Sequence, residues 1–151
     1  MPGGVYVKMQ CVKVPLCELC KIERAIKGKK YSAGSCYIKL SAVDETVNQL
    51  KKSGAIDSRY AVLEPIKKIN TDYFYIAVNK KFPEFLQKYR TTINLQIDTL
   101  KNFVLDWHED EKTQKHIVKA VNTVDKEISC IEAQIEQEKE IKRWYLAKML
   151  M

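Results

Sequence analysis

Residues 117–135 read IVKAVNTVDKEISCIEAQI, and apolar side chains recur along them at alternating intervals of four and three residues. This spacing is the heptad pattern of a helix that buries one narrow seam against another helix. Residues 113–151 contain neither glycine nor proline, so the pattern predicts one continuous helix of 39 residues, about 58 Å long. A domain of this size cannot cover such a helix, so the seam needs a partner helix from another copy or another protein.

The same register extends toward the end of the chain. It is interrupted at Glu138 and Lys142 and resumes at Tyr145 and Met149. An alternative remains for one half of the helix, which could pack back along its own domain. The residues that we predict to form the coiled-coil dimer seam are Ile117, Val121, Val124, Ile128, Ile131, Ile135, Tyr145 and Met149.

The chain before this helix has the mixed pattern of a small α+β domain. Stretches rich in β-branched and aromatic residues predict strands, and Pro83 fits the first turn of a helix. We therefore expect a small globular α+β domain over residues 1–109 with a twisted β-sheet, and one long C-terminal helix over residues 110–151. The predicted strands are 5–14, 35–43, 59–63 and 73–78, and the predicted short helices are 46–52, 83–90 and 98–102.

Composition limits the class of protein. The 151 residues suit one domain with an extension, and no apolar run approaches the ~18 residues of a membrane-spanning helix. The start of the chain lacks the pattern of a signal peptide, and five cysteines, an odd number, indicate reduced thiols. A cytoplasmic protein without a disulfide framework is therefore expected.

Positive charge is concentrated early in the chain. Residues 1–60 contain 11 lysines and arginines and 5 acidic residues, whereas residues 61–110 contain 7 of each. A basic region on such a domain attracts polyanions, nucleic acid first, although the same balance also serves solubility alone.

No motif of an enzyme is present. The chain has no Walker loop, no GxGxxG and no GxSxG, and the sequence from His108 is His-Glu-Asp-Glu-Lys, which does not match the HExxH of a zinc protease. The CxxC of Cys17 and Cys20 could chelate zinc with Cys11 or Cys36, but no second CxxC accompanies it. We expect buried thiols, no metal site, no cofactor and no catalytic activity, and we keep a small zinc-binding module as an alternative.

Basic and aromatic residues cluster in several predicted loops instead. Lysines in loops bind phosphates, while arginine, asparagine and threonine at loop tips are suited to read base edges. A solvated lysine-rich surface is the ordinary explanation for any one of them, so the prediction rests on their clustering. The predicted DNA-binding residues are Lys27, Lys29, Lys30, Tyr31, Arg59, Tyr60, Lys88, Tyr89, Arg90, Thr92 and Asn94.

The order and spacing of several segments resemble the target recognition domain of the specificity (S) subunit of type I restriction-modification systems. The opening segment and the first basic loop are similar to those of the family, and so are the start and end of the long helix. These segments are residues 14–22, 27–34, 56–63, 73–78, 93–101, 110–117 and 138–149.

The resemblance implies a function. S subunits are not catalytic: they read double-stranded DNA and dock the methyltransferase (M) subunits, and through these the restriction (R) subunit. A full S subunit has two recognition domains and two spacer helices, whereas this chain has one of each, which implies a half subunit that reads a half-site and forms a homodimer through its helix. The alternative is an S-like decoy that occupies the M subunit without reading DNA.

Overall fold

The computed structural model describes residues 10–90 and 94–150, and the chain divides into one unit up to Lys115 and another from His116. The elements confirm an α+β fold with a long C-terminal helix. In chain order they are β1 (Val12–Pro15), α1 (Leu16–Leu19), β2 (Cys20–Arg24), β3 (Lys30–Tyr31), β4 (Cys36–Lys39), β5 (Val47–Gln49), β6 (Gly54–Ala55), β7 (Tyr60–Pro65), α2 (Thr71–Tyr89), a 3-10 helix (Ile97–Asn102), β8 (Val104–Trp107) and α3 (Glu111–Met149).

An antiparallel sheet in the order β2-β7-β4-β5 forms the centre of the first unit. Strand β7 lies between β2 and β4, and its residues Ala61, Val62 and Leu63 are completely buried. Two short antiparallel pairs, β1 with β8 and β3 with β6, accompany this sheet. The strands predicted at 35–43 and 59–63 and the short helix at 98–102 are confirmed with adjusted ends, whereas residues 5–9 lie outside the described residues.

Helix α2 corrects two predictions at once. Residues 73–78, expected as a strand, and Pro83, expected in a first helical turn, belong to one helix that begins at Thr71. The Asn70 side chain caps it by accepting hydrogen bonds from the backbone N–H groups of Asp72 and Tyr73, both at 3.1 Å. Pro83 cannot donate to the preceding turn, but the helix continues because its apolar face is buried, with the rings of Phe85 and Phe103 4.5 Å apart.

Strand β5 corrects a third prediction, since residues 46–52 were expected to form a helix. Pairing with β4 decides the outcome, and the Gln49 side chain also donates to the carbonyl of Thr71 at 3.2 Å. Gly34 permits this close packing: its φ is +90°, and an added Cβ would lie 2.7 Å from the Thr71 methyl group. Contacts distant in sequence therefore override local helix propensity here.

The start of α3 is fixed by a polar cap. The Asp110 carboxylate accepts from the backbone N–H of Thr113 at 3.1 Å and from its hydroxyl at 2.7 Å. Gln114 is buried and donates to the carbonyl of His108 at 2.6 Å, while the Tyr73 hydroxyl lies 2.6 Å from His108 Nδ1. The predicted long helix is confirmed from Glu111 to Met149.

Candidate nucleic-acid interface

Strand register collects three cations at one end of the central sheet. Arg24 ends β2 opposite Ala61, Lys39 ends β4 opposite Tyr60, and Arg59 immediately precedes β7. Since β7 runs between β2 and β4 in the opposite direction, the start of β7 lies beside the ends of both neighbours. Long-range folding therefore brings together residues that are 15 to 35 positions apart in sequence.

These cations line a groove of about 380 Å³. The polar side chains of Ser41, Asn94 and Gln96 lie along it as well, and none of the described residues that line it is acidic. These described residues are Arg24, Lys39, Leu40, Ser41, Arg59, Asn94, Leu95, Gln96 and Ile97. A basic groove with amide and hydroxyl groups is chemically suited to phosphates and base edges.

Both arginines of the groove are oriented by the turn at residues 57–59. Arg24 Nε donates to the Ser58 carbonyl at 2.9 Å. Arg59 donates through Nε and Nη2 to the two carboxylate oxygens of Asp57, at 3.1 and 3.2 Å. The hydrogen bond from Arg59 lowers the pKa of Asp57 below its ordinary value, and the same bond raises the pKa of Arg59.

The lysine-rich loop between β2 and β3 lies beside this end of the central sheet. The reason is that β3 pairs with β6, which directly precedes the 57–59 turn. Lys27 and Lys30 are exposed, and the described residues offer neither of them a carboxylate within 4 Å. Lys29 differs, because it hydrogen-bonds Glu23, a contact that lowers the pKa of this carboxyl. Lys27 and Lys30 are therefore the cations of this loop that remain available to an external anion.

Tyr31 requires a correction to the predicted set. Its side chain is 1% exposed, and its hydroxyl oxygen accepts a hydrogen bond from the backbone N–H of Ile26 at 3.0 Å. The ring belongs to a core cluster with Ala25, Ile56 and Val62 and has no free face for a nucleotide. Tyr31 therefore anchors the basic loop to the domain.

The remaining predicted residues do not gather at one place. Tyr60 is half-buried and packs edge-on against Tyr37 at 5.2 Å. Lys88 and Tyr89 line a second groove of about 300 Å³, where the Lys88 ammonium lies 5.4 Å from the Tyr89 ring centre. Arg90 is exposed and immediately follows α2, Asn94 lies in the first groove, and Thr92 lies outside the described residues.

The second groove is less basic than its lysines suggest. Lys13 and Lys81 line it, but both bind Asp106, and Glu84 also lies on its wall. Hydrogen bonds from Lys13 and Lys81 lower the pKa of Asp106 to about 2. These lysines hold β8 to its neighbours and are poor candidates for binding phosphate.

Sequence reasoning missed Arg24, Lys39, Ser41 and Gln96. Arg24 and Lys39 lie at the ends of strands with no neighbouring basic cluster, so nothing local in the sequence marks them. Knowledge of the pairing of β2 and β4 with β7 would have placed both beside Arg59.

The cysteines show no arrangement for a metal. Cys17 is exposed whereas Cys20 is buried, so the two thiols of the CxxC differ in their access to solvent. Burial raises the pKa of Cys20 and of Cys36 to about 12 in each case, which keeps both thiols protonated. Within residues 10–90 and 94–150, no group of three or more His, Cys, Asp or Glu side chains could hold a metal ion.

The predicted seam on α3 is open to solvent along most of its length. Val124, Ile128, Ile131 and Ile135 are each about half exposed. Towards the end of the helix Ile141, Trp144, Leu146 and Leu150 are exposed too, and the prediction did not include them. None of the described helices is long and apolar enough to span a membrane.

No family model and no curated protein matches this chain. Solved structures do match it: the type I restriction-modification S subunit from M. genitalium aligns with a TM-score of 0.71 and 12% identity, over 90% of this chain and 44% of that one. A structure concerned with complex assembly and conformational transition of the type I R-M system aligns with a TM-score of 0.73 and 17% identity, over 95% and 45%. The HsdS subunit from Thermoanaerobacter tengcongensis aligns with a TM-score of 0.60 and 15% identity, over 87% and 41%.

The fold is therefore the one found in S subunits of type I restriction-modification systems, as the resemblance in sequence implied. The chain spans less than half the length of each of these proteins.

Proposed function

We propose that this chain is a non-catalytic DNA-recognition subunit of a type I restriction-modification assembly in the cytoplasm. In this proposal it reads a half-site in double-stranded DNA and docks M subunits, and through them the R subunit. The observation that supports it most directly is the groove formed by Arg24, Lys39 and Arg59 on a domain with the S-subunit fold.

In this proposal the cations at this end of the central sheet have two roles: some position the domain on the duplex, and others contact the bases. Lys27, Lys30 and Lys39 supply ammonium groups that bind phosphates and set the register of the domain on the duplex. Arg59 and Asn94 in the groove present the side-chain types that pair with base edges in the major groove.

Salt dependence of duplex binding tests the phosphate contacts. We expect the triple substitution Lys27→Gln, Lys30→Gln and Lys39→Gln to reduce the slope of log K against log salt by about 0.9 per lost contact. Fluorescence anisotropy with labelled duplexes of unrelated sequence measures this slope for the full-length chain.

A matched control removes three exposed lysines from other places in the same unit. These are Lys67, Lys68 and Lys101, which line neither groove. Equal losses in both triple variants would mean that net charge alone attracts DNA, and the groove would then not be the binding site. If the chain holds an M subunit at moderate salt but the complex binds no duplex, the decoy function replaces recognition.

We also propose that two copies pair through α3, and charges along the helix favour an antiparallel arrangement. In a parallel pair in register, Glu138 would face Glu138 and Lys142 would face Lys142 in the seam, where like charges are costly. In the antiparallel pair that aligns the apolar positions, Glu138 faces Ile128 and Lys142 faces Val124. Ile117 then lies opposite Met149 of the second copy.

Flanking positions agree with this direction. In the antiparallel pair Asp125 lies beside Lys139 of the second copy, and the symmetry makes this ion pair twice. In a parallel pair the corresponding neighbour of Asp125 is Ala120, which carries no charge. Ion pairs at such flanking positions set the orientation of coiled coils.

A charge swap tests the direction. Asp125→Lys should weaken the dimer by roughly 1 kcal/mol at low salt, since two exposed ion pairs are lost. Adding Lys139→Asp should restore it, and sedimentation equilibrium measures both effects. An additive loss in the double variant would refute the antiparallel pairing.

A further inference from the structure

Asp57 holds Arg59 in one defined position. Its carboxylate accepts from Arg59 Nε and Nη2, and Oδ1 also accepts from the backbone N–H of Arg59 at 2.9 Å. One carboxylate therefore fixes both the turn and the guanidinium, which reduces the conformational entropy lost when the side chain binds a ligand.

The bond pattern defines which donors remain. A guanidinium has five N–H groups in a plane, and Asp57 takes those on the Nε side. The opposite end keeps one outward N–H on each terminal nitrogen, and these two point in parallel. The Arg59 side chain is 70% exposed and lines the groove, so this end is accessible.

The charge of Asp57 selects the kind of acceptor. Asp57 neutralises much of the charge of Arg59 and repels a phosphate brought close to it, whereas a neutral base edge meets no such repulsion. Among the bases, guanine alone presents two acceptors, O6 and N7, side by side in the major groove. Adenine presents a donor beside its acceptor, and thymine and cytosine each lack a second acceptor there.

Arg24 provides a contrast within the same groove. Its Nε donates to the neutral carbonyl of Ser58, and the described residues place no carboxylate within 4 Å of it. Arg24 therefore keeps its full charge and suits a phosphate. The turn at residues 57–59 thus orients two arginines whose electrostatics differ.

We propose that Arg59 reads a guanine in the half-site through the outward N–H pair of its terminal nitrogens, with Asp57 as the positioning residue. This inference rests on the proposed DNA recognition and adds to it the identity of one base and the residue that reads it.

Selection from a randomised duplex library, followed by sequencing, tests the inference with the full-length chain. We expect the unaltered protein to select a motif with an invariant guanine. Arg59→Ala and Arg59→Lys should each lose the preference for guanine at that position by about 5- to 150-fold, the equivalent of ~1–3 kcal/mol. Preferences elsewhere in the motif should stay unchanged.

Asp57→Asn should change DNA binding in a way that a purely structural role of Asp57 would not. The asparagine oxygen can still accept from the backbone N–H, but the negative charge is gone. We expect weaker selection of guanine together with stronger binding to unrelated duplexes and a salt slope increased by up to about 0.9, because the charge of Arg59 is released. Lys68→Gln is a control that leaves the motif unchanged.

The outcomes separate this inference from the proposed function. If the protein selects a motif that Arg59→Ala and Asp57→Asn leave unchanged, DNA recognition stands and the assignment of Arg59 is wrong. If the unaltered protein selects no motif, both are overturned. Thermal melting of the two Arg59 variants should match that of the unaltered protein, because the side chain of Arg59 has no described hydrogen-bond partner except Asp57.

Discussion

Ile128→Asp provides the most demanding test of the proposed dimer. Ile128 is 47% exposed in the single chain. Complete burial of an isoleucine is worth about 1.5–3 kcal/mol, so covering the exposed half contributes about 1 kcal/mol per copy and about 2 kcal/mol per dimer. An aspartate at the same place loses this contribution and adds at least ~2 kcal/mol for desolvating two carboxylates.

The expected loss of association free energy is therefore about 4 kcal/mol or more, which raises the dissociation constant of the dimer roughly 1,000-fold. Sedimentation equilibrium at micromolar concentration should show a dimer for the unaltered chain and a monomer for Ile128→Asp. Ala133→Asp is the control, since it adds the same charge on the opposite face of α3.

Antiparallel pairing adds a second expectation. Val124→Asp should be less damaging than Ile128→Asp, because position 124 faces Lys142 of the second copy while position 128 faces Glu138. A monomeric unaltered chain, or equal losses from Ile128→Asp and Ala133→Asp, would refute the role of the seam.

Two further predictions concern the stability of the first unit. Hydrogen bonds, chiefly from Lys13, lower the pKa of Asp106 to about 2. This carboxylate therefore stabilises the fold fully above pH ~4 and less as the pH falls toward 2. In thermal melts between pH 6 and pH 2, Asp106→Asn should remove that part of the acid sensitivity. Gly34→Ala should destabilise the domain by more than the ~1–2 kcal/mol of left-handed strain alone, because its new methyl group meets Thr71. Gly28 also has a positive φ of +84°, but the described residues leave the space around an added Cβ open to 4 Å. Gly28→Ala should therefore show the strain alone, and urea unfolding measures both variants.

The sequence by itself determined the long helix and the spacing of its apolar residues. These features depend on periodicity and on the absence of glycine and proline, which act through neighbouring turns of the same segment. The strand at 59–63 follows from its aromatic and β-branched residues.

Only the tertiary structure decided the nature of residues 73–78 and 46–52. The first stretch has β-forming residues, yet they also fit one face of a helix, and burial of that face, with the Tyr73 ring 4.7 Å from that of Trp107, selects the helix. The second has helix-forming residues, but hydrogen bonds to β4 make Val47–Gln49 an edge strand. In both cases the deciding energy comes from partners that are distant in sequence.

The candidate site depends on the tertiary structure for the same reason. Arg59 was predicted as a DNA contact from its local context, but Arg24 and Lys39 reach it only through strand pairing, and Tyr31 moves into the core because its ring completes a buried cluster. Local sequence encodes the side chains that can bind an anion, whereas the antiparallel register of β2, β7 and β4 determines which of them share one groove, since it alone sets their separation in space.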